Sequence, residues 1–346
     1  MFIVIALTLM FICILTIVFL LREREIEEEN VQFYSLGTIN TIKVYGKKAK
    51  AAIEEAKKKV MEIDDKMSVF KEESEITKIN DKAGLSLVKV SMETFYLIKK
   101  AIYYCNLFDG YFDITIRPIV KLWGIGHQEE RVPTEIEIEE KLKLVNYEDI
   151  ILDENSCSIG LKNSNQEIDV GGIAKGYAAD LVKEILKKNK IKNGIINLGG
   201  NVYVLGRKSD GKDWCVGIQD PLNENGKFLG TISTRNKSIV TSGNYERYFF
   251  KDGKSYHHII DTKTGYPSEG EIISATIVSD FSIDGDGLST GVFIYGVEKA
   301  INLIEGLYGI EAILITKSKE VFLTSNLKNI FTLTNNDYCL REATAI

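Results

Sequence analysis

Two stretches of the sequence place acids, glycines and hydroxyl side chains close together, at spacings that suit anion or metal chemistry. The first, EIDVGGIAKGYAAD, runs from Glu167 to Asp180 and puts Asp169, a glycine pair and Lys175 in front of an amphipathic helix pattern. A structural turn from strand to helix explains the glycines, because glycine allows sharp turns and close approach. It leaves Asp169 and Lys175 unexplained, so a helix N-terminus that meets an anion is the competing interpretation.

The second stretch, SDFSIDGDGLSTG, spans residues 279–291 and begins like a calcium loop. The twelfth position of such a loop carries a bidentate Glu, but here it is a glycine, so an EF-hand is not indicated. If the segment opens a helix, one turn offers Mg²⁺ hard oxygen ligands from Asp286, Ser289 and Thr290. The alternative is an array of caps for a helix that starts near Leu288, and these residues alone favour the caps.

Three histidines are available for acid–base chemistry: His127, His257 and His258. The last two are neighbours in a strand pattern, so their side chains point to opposite faces and at most one faces a given site. Spacing alone places no serine or cysteine triad. The sequence therefore leaves two interpretations of these histidines, a solvated surface residue and a catalytic one.

The elements that must position these residues alternate between strand and helix patterns. Strand character marks FYSLGTINTIKVYG (33–46) and GIINLGGNVYVLG (194–206), and a hairpin turn at 251–254 joins two later strands. Helical spacing of apolar residues marks four further segments: 47–64, 91–106 with Ser91 as N-cap, the stretch after Gly172, and 297–307. This order predicts a mixed α/β (α+β) fold in one compact unit.

Composition excludes some classes of protein. The chain of 346 residues has a formal net charge of -6 and no basic block, so nucleic acid is not its main partner, because phosphate contacts require clustered Lys and Arg. Its length suits one large or two medium globular domains. The cysteines lie far apart with no C-x-x-C pair, which indicates neither a zinc site nor a disulfide framework.

An apolar run from Phe2 to Leu21 is long enough to cross a bilayer as a helix. The charged segment EREIEEEN follows it, and there is no basic start or small-residue cleavage site typical of a cleaved signal peptide. By the positive-inside rule, Arg22 and Arg24 after the run would place the main domain in the cytoplasm. We predict a single-pass anchor in the cell membrane at 1–21, a tether at 22–31, the main domain at 32–335 and a C-terminal tail at 336–346.

Six segments, in order across nearly the whole main domain, resemble one family, the ApbE-like FAD:protein FMN transferases. They are YFDITIRPIVKLWGIG (111–126), IDVGGIAKGYAAD, INLGGNVYVLG, TSGNYERYF, HHIIDTKTGYP and DGLSTG. The resemblance implies a single mixed α/β domain with FAD in a cleft, Mg²⁺ at the FAD diphosphate, and transfer of the FMN half to a Thr or Ser hydroxyl of a target protein with release of AMP. A metal at the phosphoryl oxygens would lower the barrier to in-line displacement.

The same resemblance implies roles for particular residues. His258 is the expected general base for the acceptor hydroxyl. The implied metal ligands are the Gly172 carbonyl, Asp286, Ser289 and Thr290. The implied FAD contacts are Leu36, Phe70, Tyr111, Phe112, Asp113, Asp169, Lys175 and Ile260. Gly291 stands where the family more often has alanine, next to the metal site, so metal affinity is the property this departure would change.

Two further functions fit the same residues. A pyrophosphatase would use water as the acceptor and convert FAD to AMP and FMN, and a non-catalytic, membrane-tethered protein would only bind FAD. For the transferase, the resemblance implies flavin-bearing subunits of membrane redox complexes, with a Thr or Ser acceptor, as partners. It also implies an extracytoplasmic main domain, against the placement of Arg22 and Arg24.

Overall fold

A nine-stranded sheet forms the centre of the structure, a computed structural model that describes residues 10–11, 28–223 and 226–341. The strands, in chain order, are β1 (Glu28–Ser35), β2 (Thr38–Tyr45), β3 (Val88–Lys89), β4 (Ile150–Asp153), β5 (Ser158–Leu161), β6 (Asn193–Leu198), β7 (Asn201–Leu205), β8 (Trp214–Gln219), β9 (Phe228–Thr234), β10 (Lys237–Gly243), β11 (Tyr248–Lys251), β12 (Lys254–His257), β13 (Ile272–Ser279), β14 (Glu311–Thr316), β15 (Glu320–Leu323), β16 (Phe331–Leu333) and β17 (Cys339–Arg341). The large sheet has the order β1-β2-β6-β7-β10-β13-β14-β15-β17, and β15 pairs with β17 in parallel. Smaller sheets are β16-β9-β8, β3-β5-β4 and the hairpin β11-β12.

Helices pack mainly on one face of the large sheet. They are α1 (Ala49–Met67), α2 (Glu75–Asp81), α3 (Met92–Leu107), α4 (Arg117–Trp123), α5 (Glu135–Leu142), α6 (Gly171–Lys188), α7 (Ser282–Tyr295) and α8 (Val297–Glu305). The predicted helices at 47–64 and 91–106 are confirmed as α1 and α3. Ser91 caps α3 as predicted, because its hydroxyl accepts a hydrogen bond from the backbone N–H of Thr94 at 3.4 Å.

The large sheet buries apolar side chains on both of its faces. Ile277 and Leu314 belong to the core shared with α1, α3, α6 and α7. Their neighbours Val278 and Ile313 belong to a second core, shared with β8, β9 and β16. This division follows from the alternation of side chains along a strand. The mixed α/β class predicted from the sequence is therefore confirmed.

Two of the predicted strand segments, 33–46 and 194–206, are hairpins of two strands each. Their turns use left-handed backbone conformations, with φ of 53° at Leu36 and 69° at Gly37, and 57° at Gly199 and 90° at Gly200. Glycine adopts such angles without steric cost, which explains three of the four turn residues. The pairing of β2 with β6 places both turns at the same end of the large sheet.

Helices α6 and α7 pack closely side by side. A Cβ atom at Gly176 would lie 2.3 Å from the carbonyl oxygen of Ser282, so only glycine permits this approach. The carboxylate of Asp180, on α6, accepts hydrogen bonds from the backbone N–H groups of Ser282 and Ile283, each at 3.0 Å. Asp180 therefore caps the first turn of the neighbouring helix α7 and fixes the position of the two helices along each other.

The ordered strands extend beyond the predicted main domain at both ends. Strand β1 begins at Glu28, inside the predicted tether 22–31, because Glu28 pairs with β2 and its carboxylate lies 2.6 Å from Lys43 Nζ. Inside the predicted tail 336–346, the hydroxyl of Tyr338 donates to Asp220 at 2.6 Å, and β17 follows. Helices long and apolar enough to cross a bilayer do not occur in the ranges that the structure describes. Apart from residues 10 and 11, the predicted anchor at 1–21 lies outside those ranges.

Candidate functional site

A cleft of about 810 Å³ opens at the end of the large sheet where the turns of the β1–β2 and β6–β7 hairpins lie. Its walls come from these turns, the loop after α1, the first turn of α6, the middle of α7, strand β10 and the segment after β12. Every site residue predicted from the sequence lines this one cleft. These residues are Leu36, Phe70, Tyr111, Phe112, Asp113, Asp169, Gly172, Lys175, His258, Ile260, Asp286, Ser289 and Thr290.

Asp286 is the most deeply buried acid of the cleft, with 4% of its surface exposed. Its Oδ2 accepts a hydrogen bond from the backbone N–H of Gly176 at 2.5 Å, and its Oδ1 accepts one from Asn201 Nδ2 at 3.1 Å. Burial raises the pKa of Asp286, although the nearby Lys175 ammonium and the two hydrogen bonds oppose this shift. A cation beside this carboxylate would relieve the cost of its burial.

Helix α7 begins at Ser282, so the predicted helix start near Leu288 is wrong and the predicted cap array does not exist. Asp286, Ser289 and Thr290 lie inside the helix, on successive turns. The hydroxyl of Ser242, on β10, donates to Ser289 Oγ at 2.8 Å and lies 3.2 Å from Thr290 Oγ1. The three oxygen-bearing side chains of α7 therefore face the cleft together with a fourth oxygen from the sheet.

The donor set around Asp286 fits a hard divalent cation. Among the described residues, Asp286 makes no ion pair within 4 Å, and the buried Oδ1 of Asn201 has no hydrogen-bond partner. The backbone N–H of Gly176, whose partner in a regular helix is the carbonyl of Gly172, donates to Asp286. Carboxylate, hydroxyl and carbonyl oxygens are the ligands that Mg²⁺ prefers. Clusters of three or more His, Cys, Asp or Glu are absent from the described ranges, so a cation here would depend on one carboxylate and uncharged oxygens.

Asp169 is held by an arginine that the sequence analysis did not identify. Arg117 Nη1 lies 3.2 Å from Asp169 Oδ2, and Arg117 Nε lies 3.1 Å from Glu167 Oε2. The other oxygen of Asp169 accepts a hydrogen bond from the backbone N–H of Gly171 at 2.8 Å. Arg117 is buried, with 8% of its surface exposed, and it fixes the acid directly in front of α6.

Phe70 presents a flat, uncovered ring to the cleft. It lies in the loop after α1, and 72% of its surface is exposed. The guanidinium of Arg117 lies 5.5 Å from the centre of its ring, and the ring of His127 lies 5.4 Å away. Arg117 Nη2 also donates to the carbonyl of Val69 at 3.3 Å. The same arginine therefore positions both the exposed aromatic ring and the acid before α6.

His258 faces the cleft, whereas its neighbour His257 is buried against the carbonyl of Ser268. The Nδ1 of His258 lies 3.3 Å from the carbonyl oxygen of Arg247. Because a carbonyl only accepts, Nδ1 must carry the hydrogen, which leaves the lone pair on Nε2. Burial, together with the positive charge of Arg247, lowers the pKa of His258 to about 4. His258 is therefore neutral at neutral pH and able to accept a proton.

Both oxygens of the Asp113 carboxylate accept hydrogen bonds from other groups of the protein. One oxygen accepts hydrogen bonds from the N–H and hydroxyl of Thr115, both at 2.7 Å, and the other accepts from the N–H of Tyr147 at 3.0 Å. Burial raises the pKa of Asp113, and these hydrogen bonds oppose the shift. Asp113 lines the cleft, and its side chain organises the turn that presents Tyr111 and Phe112, so its predicted contact with FAD stays a prediction.

Several polar residues of the cleft were not assigned a role from the sequence: Arg117, Asn201, Ser242, Glu246 and Arg247. All five lie inside segments that carry the family resemblance, so their position in those segments was the available signal. Arg117 offered a second signal, because a charged residue in the apolar stretch ITIRPIV needs a partner if it is buried.

The chain is similar to known proteins over most of its length. The model of the ApbE family matches residues 36–314. The FAD:protein FMN transferase of Klebsiella pneumoniae (strain 342) is 38% identical over 282 residues, which are 82% of this chain and 87% of that protein. The FAD:protein FMN transferase of Treponema pallidum (strain Nichols) is 32% identical over 304 residues, which are 83% of this chain and 84% of that protein.

Solved structures show the same architecture. The ApbE protein of Thermotoga maritima superposes with a TM-score of 0.81 at 31% sequence identity, covering 88% of this chain and 99% of that one. The flavin transferase ApbE of Vibrio cholerae superposes with a TM-score of 0.78 at 27% identity, covering 88% of this chain and 100% of that one. Sequence and fold therefore point to the same group of proteins.

Proposed function

The chain belongs to the ApbE family and is an FAD:protein FMN transferase, and from this premise we propose that it works with Mg²⁺ and delivers FMN to a Thr or Ser hydroxyl of its target. The observation that carries the proposal is the buried Asp286 carboxylate, which has hydroxyl oxygens beside it and the N-terminus of α6 in front of it. FAD brings a diphosphate to the cleft, and this arrangement suits both the diphosphate and a cation bound to it.

Four groups would hold Mg²⁺: the carboxylate of Asp286, the hydroxyls of Ser289 and Thr290, and the carbonyl of Gly172. When bound, the ion would offset the negative charge on the phosphoryl oxygens, which otherwise repels an incoming nucleophile. Supporting this set, Gly172 lines the cleft in the first turn of α6, and the N–H of Gly176 on the same helix donates to Asp286. The remaining coordination positions would be filled by phosphate oxygens and water, since Mg²⁺ commonly keeps several waters.

The protein's own groups would orient FAD in two ways. The N-terminus of α6 and the ammonium of Lys175 place positive charge where the diphosphate is expected to lie. The exposed ring of Phe70 offers a surface on which a flat ring of FAD can stack. Arg117 links the two features, because it contacts both Asp169 and the Phe70 loop.

In the transfer step, the acceptor hydroxyl oxygen forms a bond to the phosphorus on the FMN side of the diphosphate. The bond from that phosphorus to the bridging oxygen breaks, and AMP leaves with the electron pair. The hydroxyl proton passes to Nε2 of His258, which is neutral because its pKa is about 4. A water molecule in place of the hydroxyl would give FMN and AMP, which is the pyrophosphatase alternative.

We also propose that residues 1–21 anchor the chain in the cell membrane with the catalytic domain outside the cytoplasm. The support is the length and apolarity of that run. The proposed targets are flavin-bearing subunits of membrane redox complexes. Proteolysis of intact cells tests the orientation, because an extracytoplasmic domain is cut by added protease and a cytoplasmic one is not.

The activity is tested with the full chain in detergent, FAD, Mg²⁺ and a panel of candidate acceptor subunits. The transferase predicts an acceptor heavier by one FMN, AMP in equal amount, and loss of both products on addition of a chelator. AMP with free FMN and no labelled acceptor would favour the pyrophosphatase. FAD returned intact would leave only the binding protein.

A further inference from the structure

The end of the large sheet opposite the cleft carries a row of exposed or half-exposed cations. We name it the basic end, and it consists of the loops after β2, before β6, after β7 and before β10. Strand pairing places these loops side by side, because Tyr45 pairs with Asn193, Gly194 with Leu205, and Val204 with Lys237. The cations of the basic end are Lys47, Lys48, Lys190, Lys192, Arg207, Lys208, Lys212, Arg235 and Lys237.

Among the described residues, ion pairs neutralise only part of this positive charge. Arg207 and Arg235 share Asp213, at 3.1 Å and 3.9 Å, and Lys237 lies 2.7 Å from Asp280. Lys212 lies 3.9 Å from Asp210. The other cations make no ion pair within the part of the chain that the structure describes: Lys47, Lys48, Lys190, Lys192 and Lys208. The chain as a whole has a formal net charge of -6, so this end differs in sign from the rest of the molecule.

The loops of the basic end are held in a fixed arrangement. Asn193 Oδ1 accepts a hydrogen bond from the N–H of Arg207 at 3.1 Å, and Asn236 Oδ1 accepts one from the N–H of Gly206 at 2.8 Å. These bonds surround an open pocket of about 640 Å³, lined by Arg207, Lys208 and Arg235 among others. A phosphate-sized anion would therefore meet cations whose backbone is already in place.

Two exposed aromatic residues flank the same end of the sheet. The side chain of Tyr308 is completely exposed, and 54% of Phe281 is exposed. Phe281 follows Asp280, the partner of Lys237, and its ring lies 4.3 Å from Lys183 Nζ. A Cβ atom at Gly309, next to Tyr308, would lie 3.4 Å from Asp280 Oδ2, so both aromatics lie in segments beside Asp280. Exposed aromatic rings beside cations are typical of surfaces that lie on the interface of a bilayer.

The chain also enters the domain at the basic end. Strand β1 begins there at Glu28, and only residues 22–27 separate it from the apolar run that ends at Leu21. Six extended residues span at most about 20 Å. If the apolar run is an anchor, the basic end is thus confined to the membrane surface, whereas the cleft lies about 25 Å further away, along the length of β1.

We propose that the basic end is a docking surface for anionic lipid headgroups, which holds the domain upright on the membrane with its FAD cleft facing away from the bilayer. The inference rests on the proposed membrane anchor and goes beyond the flavin site. The cations of the basic end bind the headgroup phosphates, and the rings of Tyr308 and Phe281 lie at the level of the headgroups. Each cation that reaches an anionic surface favours docking by about fivefold.

Hydrogen–deuterium exchange on the full chain in lipid nanodiscs tests this proposal. One set of discs contains phosphatidylcholine alone, and the other contains phosphatidylcholine mixed with phosphatidylglycerol. We expect backbone amides at 46–48, 189–193, 206–212 and 234–237 to exchange several-fold more slowly in the anionic discs. High salt should remove the difference, because it screens exposed charges. The cleft turns at 36–38 and 199–201 should exchange equally in both discs.

A charge-reversal variant and a matched control make the result specific. In K47E/K48E/K190E/K192E the slowing should disappear, whereas in K82E/K89E/K143E/K251E, which reverses exposed lysines elsewhere, it should remain. Equal exchange in the two lipids, protection that survives in the first variant, or protection of the cleft turns would each overturn the proposal. So would protection by an added acidic protein that exceeds protection by anionic lipid. FMN transfer measured in the same discs distinguishes a failure of docking from a failure of the transferase.

Discussion

The two ends of the central sheet use charge in opposite ways. At the cleft end, key polar side chains are buried and held by specific neighbours, as Asp286 is by Gly176 and Asn201. At the basic end, cations such as Lys47 and Lys192 are exposed and make no ion pair within the described ranges. Removing a buried polar group leaves its hydrogen-bond partners unsatisfied, whereas a single exposed charge contributes little and acts only together with its neighbours. Single substitutions should therefore have large effects at the cleft end and small effects at the basic end.

Asp286→Asn should have the largest effect and is the strongest test of this contrast. The amide keeps the shape of the carboxylate and can still accept a hydrogen bond from Gly176, but it removes the negative charge that would hold Mg²⁺. We expect FMN transfer to fall by about a thousandfold, comparable to the loss of a group that stabilises developing charge. The melting temperature should not fall, because burial raises the pKa of Asp286. A variant with more than a tenth of the wild-type rate would contradict the metal assignment.

His258→Ala should come next, with a loss of about a hundredfold or more, which is typical for removal of a general base. The pH dependence of wild-type kcat/KM provides the sharper measurement. A histidine with its ordinary pKa would lose activity below about pH 6.5, but a pKa of about 4 predicts a plateau that extends well below pH 6. A wild-type rate that already falls tenfold between pH 7 and pH 5.5 would be incompatible with His258 as this base.

The same pKa shift predicts how stability changes with pH. His258 titrates near 4 in the folded protein and near 6.5 in the unfolded chain, so the unfolded chain binds the extra proton first as the pH falls. The free energy of unfolding should therefore decrease between pH 6.5 and pH 4. In His258→Gln this decrease should be smaller, and a pH profile identical to that of the wild type would refute the shift.

Arg117→Lys should weaken FAD binding by about tenfold, because a lysine cannot replace a guanidinium that contacts Asp169, Glu167 and the Val69 carbonyl at once. The effect should appear mainly in KM for FAD. Lys121 provides the matched control, since its ammonium lies 2.7 Å from the same Glu167 but is half exposed. Lys121→Met should change KM for FAD by less than about threefold. Equal effects in the two variants would argue against a special role for Arg117.

The smallest effect should come from the basic end. In detergent solution without lipid, K47E/K48E/K190E/K192E should transfer FMN within about twofold of the wild-type rate. Its free energy of unfolding should differ from that of the wild type by no more than about 0.5 kcal/mol for each exposed position. Intact mass of the acceptor and thermal unfolding check these two values. A large loss of transfer in the absence of lipid would mean that the two ends of the sheet are not functionally separate.

Much of the cleft could be predicted because its residues lie in short local segments whose order along the chain is recognisable. All the predicted site residues line one cavity for this reason. The start of α7 could not be predicted, because its cap is Asp180 on another helix and not a residue just before Ser282. The role of Arg117 was also missed, since its partners Glu167 and Asp169 lie about fifty residues further along the chain.

One departure from the family pattern has a physical explanation in the packing. Gly291 was expected to affect the metal site, but a Cβ atom at this position would lie 2.3 Å from the ring of Phe108. An alanine would therefore require Phe108, which is fully buried, to move. The sequence could not indicate this contact, because residues 108 and 291 meet only in the folded structure.

The position of the metal is the most direct test of the proposed site at Asp286. Crystals grown with FAD and Mn²⁺ in place of Mg²⁺ would show the ion by its anomalous scattering. We expect one peak within about 2.5 Å of Asp286, with oxygen ligands from Ser289, Thr290 and the Gly172 carbonyl, and the FAD diphosphate beside it. FAD bound in the cleft with no peak at Asp286, or with the peak on other residues, would contradict it.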